Sequence, residues 1–90
     1  MELLEIINRY CDIRLLKRNC NFRGCGKKPG KEMLISQVDM DTKTRRDIIS
    51  LYLCSDHFRE MEKRLGGVVN KFRGGKVYVI KGFDTGFVTY

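Results

Sequence analysis

Three cysteines and the sole histidine fall in two close pairs, Cys20-x4-Cys25 and Cys54-x2-His57, with 28 residues between them. Thiolate sulfur and imidazole nitrogen are donors that Zn²⁺ takes in tetrahedral geometry, and pairs on short turns are how small domains deliver them. The spacing therefore predicts one structural Zn²⁺ held by Cys20, Cys25, Cys54 and His57. Such a site leaves no open position for water, so the zinc it describes is not catalytic. Four cysteines also form an even set, as in a small secreted chain with two disulfides. Against that stands the N-terminus, where Glu2 and Glu5 replace the basic and apolar regions of a secretory signal. The expectation is an intracellular, reducing setting, cytoplasmic or nuclear, in which thiols stay free for metal.

Ninety residues make one small domain with a limited core, the size at which a metal often supplements burial. At 42% hydrophobic residues the chain is a folding sequence, and no apolar run is long enough to span a bilayer. Its net charge of +7 is segregated. In 14–31 stand Arg14, Lys17, Arg18, Arg23, Lys27, Lys28 and Lys31 with no acid; in 63–81 stand Lys63, Arg64, Lys71, Arg73, Lys76 and Lys81, again with none. Such separation gives a polarised surface field, as nucleic-acid binders have, although a solvated basic face that keeps the protein in solution has the same composition.

The elements that must position the two pairs follow from periodicity. Residues 2–18 read as an amphipathic helix with a stripe of Leu3, Leu4, Ile7, Tyr10, Cys11 and Leu15, broadened by Ile6 and Ile13. Cys11 lies on that stripe, which makes it a small buried hydrophobe and not a fifth ligand. Cys20 to Gly26 is a tight, glycine-containing knuckle, continued by a basic loop. Residues 33–40 and 48–54 alternate as two strands, with Leu34, Ser36, Val38 and Met40 on one face and 41–47 as a polar connection. A helix carrying Ile48, Ile49 and Tyr52 competes for 42–53, and β-branched content favours the strand.

A short helix follows through Leu65, with Ser55 or Asp56 as its cap and Gly66-Gly67 as a left-handed stop. Gly74-Gly75 then suggests a second hairpin, 68–73 with 76–81, pairing Phe72 with Val77 and Asn70 with Val79. Its other face would gather Lys71, Arg73, Lys76 and Tyr78. Phe87, Val88 and Tyr90 suggest one more strand. The fold class is α+β, a zinc-stabilised, treble-clef-like domain over 1–90: N-terminal helix 1–19, zinc-finger core 20–65 with knuckle, hairpin and short helix, and C-terminal hairpin 66–90.

The stretch Tyr52-Leu-Cys54-Ser-Asp-His57-Phe58, preceded by Cys20-x4-Cys25-Gly26-Lys27, resembles the short treble-clef-like C2CH zinc proteins found in archaea and their viruses. It is also similar, in part, to the THAP domain, a DNA-binding C2CH zinc finger with a comparable ending. The resemblance covers roughly residues 20–65 and implies a zinc-stabilised domain with a raised expectation of nucleic-acid binding.

On these grounds the leading functional expectation is a DNA- or RNA-binding module. Lys27, Lys28 and Lys31 of the knuckle loop and Lys71, Arg73 and Lys76 of the second hairpin would meet phosphates. Tyr78 would stack on a base or sugar, core packing is the better expectation for Phe22 and Phe72, and Arg45 and Arg46 at the first hairpin tip would read a groove edge. The alternative is a protein-interaction adaptor that uses the N-terminal helix, which also suits a homodimer. Catalysis is disfavoured because no histidine is left as a base once His57 is a ligand.

Overall fold

The computed structural model describes residues 2–71 and 74–86. A short helix α1 (Leu3–Tyr10) and one 3₁₀ turn (Ile13–Leu15) lead into the knuckle. Strands β1 (Lys31–Asp39) and β2 (Thr44–Leu53), helix α2 (Ser55–Leu65) and strand β3 (Lys76–Asp84) follow. The strands form an antiparallel sheet in the order β2-β1-β3. Fold class α+β is as expected from the sequence, and 44–53 is strand and not helix.

The first hairpin is longer and tighter than its polarity suggests. Residues 44–47, expected in a connection, are paired strand, because Asp39 Oδ1 accepts from the amides of Asp41 (3.0 Å) and Thr42 (3.3 Å) and closes the turn at once. A bulge between Ile35 and Ser36 leaves Ile48 out of the Cα register, so Ile48 and Ile49 both pack against the core. The inward residues of β1 are Met33 and Ile35, both fully buried beside Leu51 and Leu53. Leu34, Ser36 and Val38 alternate onto the opposite face, and Met40 lies half-exposed beyond it. Ser36 is nonetheless buried, since its hydroxyl donates to Asp47 (2.8 Å) and accepts from Arg45 (3.1 Å).

Helix α1 is half the expected length. Leu3, Ile6 and Ile7 bury a three- and four-residue stripe in this chain's own core, which leaves Leu4 exposed. The helix stops at Tyr10 because Cys11 is extended and forms a β-bridge with Phe22, while Asp12 donates its amide to the Asn21 carbonyl (2.7 Å). Asp12 then caps the next turn by accepting from Arg14 N (3.1 Å), a local bond that competes with helix continuation. At α2 the cap position is Cys54, so neither Ser55 nor Asp56 serves there as expected. Gly66 is right-handed (φ −57°) and not a left-handed stop; the positive φ falls on Asn70 at 59°.

Among the described residues the second hairpin does not form. Gly74 and Gly75 do take positive φ (57° and 79°), but β3 pairs along β1 and not with 68–71. That choice sets Ile80 beside Ile35 and Gly82 beside Met33 on the core face, where a Cβ on Gly82 would stand 2.8 Å from the Phe58 ring. Burying Val77 and packing Ile80 half-buried against the core outweighs a local ribbon with one unburied side. Asn70 keeps one bond, its amide to the Tyr78 carbonyl (2.9 Å), in place of the expected pairing with Val79. The expected Phe72–Val77 pair, Arg73, and the strand at 87–90 lie outside the described residues. No helix among the described residues is long and apolar enough to cross a membrane.

Candidate metal centre

The knuckle, the end of β2 and the first turn of α2 meet at one point. Cys20 and Cys54 are buried, Cys25 and His57 half-buried, and all four cysteines of the chain are free thiols. One donor atom from each of Cys20, Cys25, Cys54 and His57 lies within 4.8 Å of every other, close enough for one metal ion. His57 Nδ1 is 3.3 Å from Cys54 Sγ and 3.5 Å from Cys20 Sγ. A tetrahedron with metal–sulfur bonds of about 2.3 Å and a metal–nitrogen bond of about 2.0–2.1 Å has a nitrogen–sulfur edge of about 3.5–3.6 Å. The observed separations lie at or just inside that edge, so the donor set fits a tetrahedral ion.

Local backbone bonds hold this geometry. The Cys25 amide reaches back to the Phe22 carbonyl (3.1 Å) across Gly24, whose φ of 84° glycine alone takes readily. The Cys20 amide closes the loop on the Lys27 carbonyl (2.8 Å). Burial pushes the Cys20 thiol up, opposed by amides of Cys54 and Phe22 at its sulfur. Those amides favour a thiolate, and a cation sharing the site would favour it further. Cys11 is also buried and is pushed up to about 11 by burial, with Arg23 opposing; it stands outside the donor cluster.

Two supporting residues were not singled out for these roles by sequence reasoning. Phe22 lies flat on the His57 imidazole, with centroids 4.1 Å apart and planes 2° from parallel, and Tyr10 stacks beyond it at 6.4 Å. Arg64 caps that column, 4.2 Å above the Tyr10 ring. Asn21 is buried and saturates its amide: Nδ2 donates to the carbonyls of Leu16 (2.9 Å) and Asn19 (3.2 Å), and Oδ1 accepts from Tyr52 N (2.9 Å). The available signal was position alone, since both sit between Cys20 and Cys25.

The residues expected to bind nucleic acid are scattered by the fold. Lys27 and Lys28 are exposed on the knuckle loop; Lys31 is half-buried, its ammonium 5.6 Å over the Phe58 ring. Arg45 and Arg46 lie in β2 and not at the hairpin tip, and Arg45 is engaged by Ser36 and by Asp47 at 3.5 Å. Lys71 and Lys76 line one cavity of about 510 Å³, whose lining also includes Glu2 and Glu5, so acids join the cations there; Arg73 lies outside the described residues. Tyr78 lines the same cavity and packs half-buried against the core. In their place the loop 12–28 gathers Arg14, Lys17, Arg18, Lys27 and Lys28, all exposed. Lys28 Nζ bonds the Arg18 carbonyl (3.3 Å) and Arg18 Nη2 bonds the Arg14 carbonyl (3.0 Å), which sets the two arms of the loop side by side.

Comparison with protein-family models, with curated proteins and with solved structures gives no match to this chain.

Proposed function

We propose that this chain is a non-catalytic, zinc-stabilised domain of the treble-clef-like kind that binds nucleic acid through the loop 12–28. Zinc suits three thiolates and one imidazole, and with four protein donors it serves the fold. Among the described residues, the donors come from the knuckle, the end of β2 and the first turn of α2, so the ion would tie these three together beside the Asn21–Tyr52 bonds. The observation that carries the binding assignment is the exposed group Arg14, Lys17, Arg18, Lys27 and Lys28 on one loop. Its acidic neighbours are Asp12, paired to Arg14 at 3.0 Å, and Asp56, 3.8 Å from Lys27. A surplus of exposed cations on one loop suits the negative charge of a phosphate backbone.

Binding to a mixed-sequence duplex should weaken steeply with salt. The Lys27→Ala, Lys28→Ala variant should lower the slope of log K against log salt by about 0.9 for each phosphate it no longer neutralises. Absence of binding at low salt, or binding indifferent to salt, overturns the proposal. Salt-indifferent capture of a protein would favour the adaptor reading, for which the half-exposed Phe83 on the sheet-edge strand β3 is the supporting feature.

A further inference from the structure

At the centre of the basic loop stands an apolar side chain in a costly conformation. Leu16 has φ 50° and ψ −124°, and the Arg18 amide bonds the Leu15 carbonyl at 3.0 Å. This is a turn of the II′ kind with leucine where glycine is preferred. Its carbonyl is held from inside by the buried Asn21 (2.9 Å). The result is a leucine 61% exposed, the most exposed large hydrophobic side chain among the described residues, with Ile13 exposed beside it. Arg14, Lys17 and Arg18 lie within two residues of it in the chain. Strain maintained by a buried hydrogen bond in order to expose an apolar group points to a task at that spot.

We infer that Leu16 is an apolar wedge that enters a base step of duplex DNA while the surrounding cations hold the backbone; this rests on the nucleic-acid reading above. Aliphatic side chains inserted from a cationic surface are a device for opening and kinking duplex steps. Single strands are held instead by exposed aromatic platforms. On this loop the one aromatic is Phe22, which is half-buried and committed to the His57 ring. A groove would suit an acidic helical peptide, whereas Leu16 protrudes from a turn.

The test uses the zinc-loaded protein and a duplex with 2-aminopurine beside a flexible TA step. The parent should raise the probe's fluorescence several-fold on saturation. Leu16→Gly suits the turn, so it should keep its metal and thermal stability, bind about tenfold more weakly and leave the probe stacked. Its salt slope should equal the parent's, because the same cations still meet the same phosphates. A parent complex without unstacking, or a Leu16→Gly complex with the full rise, overturns the wedge and leaves the binding proposal standing. Failure of the parent to bind any duplex overturns both. Equal affinity for polyglutamate would identify an acidic polypeptide as the partner and overturn the wedge.

Discussion

The contact of Phe22 with His57 isolates one part of the metal site. Replacing Phe22 with Leu keeps apolar bulk against Tyr10 while deleting a ring stacked at 4.1 Å and 2°. An aromatic pair contributes about 0.5–1.5 kcal/mol beyond its buried area. Here the pair fixes the plane of a ligand, with His57 Nδ1 turned to the sulfurs of Cys20 and Cys54. The loss should therefore appear as zinc affinity weakened about 2- to 13-fold, at about 1.4 kcal/mol per tenfold. Competition with a chromophoric chelator measures it directly. Folding and metal binding are linked, so any destabilising change lowers apparent affinity somewhat. Ile35→Val is the matched control: it removes about 0.5–1.5 kcal/mol from a fully buried position that touches no ligand ring. A Phe22→Leu variant that loses no more zinc affinity than Ile35→Val refutes the idea that stacking orients the imidazole.

Metal analysis should give one equivalent of zinc, and chelation should collapse amide dispersion, because structural zinc supplies on the order of 10 kcal/mol coupled to folding; a well-dispersed spectrum after metal removal argues against a structural role. Cys11→Ala should keep zinc stoichiometry and lose about 1 kcal/mol below pH 9. The folded Cys11 thiol is held up near 11 against an unfolded value of 9.0, so its stabilising share is whole below pH 9 and lost as pH rises towards 11; denaturation at pH 8 and pH 10.5 should show the gap between parent and Cys11→Ala narrowing. The Lys71→Ala, Lys76→Ala variant should bind duplex with the parent's salt slope, since both lysines line a cavity whose lining includes Glu2 and Glu5, apart from the loop 12–28; a reduced slope would place them on phosphates. Asn21→Asp should destabilise by roughly 1–3 kcal/mol or more in chemical denaturation, because a carboxylate would meet the Leu16 and Asn19 carbonyls where two donors stood; a neutral effect would mean the loop is not clasped by that amide.

The sequence made the metal site legible because its chemistry is local: Cys20-x4-Cys25 and Cys54-x2-His57 each sit on one turn, and pairing them requires only that the two turns meet. The strand character of 48–53 was legible for a similar reason, since β-branched alternation is a local signal. Helix α1 shows where locality fails. Its periodicity continues past Tyr10, but Cys11 is claimed by a bridge to Phe22 and Asp12 by Asn21, partners that lie beyond the reach of a helical wheel. The same blindness extended to Leu16. The range 2–18 enclosed it in a helix, outside the apolar stripe, whereas the chain turns there, with the Leu16 carbonyl held by Asn21 and the side chain exposed.

The largest misreading, the second hairpin, has the most bearing on function. Gly74-Gly75 is a turn, as its dipeptide indicates, but a turn does not choose a strand's partner. β3 had an alternative in the open edge of β1, where Ile80 and Gly82 reach a core that includes Ile35 and Met33. Burial at that edge exceeds what a two-stranded ribbon offers, so the long-range pairing wins. With β3 there, Lys76 lines the same cavity as Lys71, Glu2 and Glu5, so basic and acidic residues far apart in the sequence share one lining. Among the described residues, Asp12 and Asp56 are the acids paired with cations of the loop 12–28. Its cations are fixed by the same backbone bonds that shape the metal knuckle, so losing the ion should disperse the basic surface together with the fold.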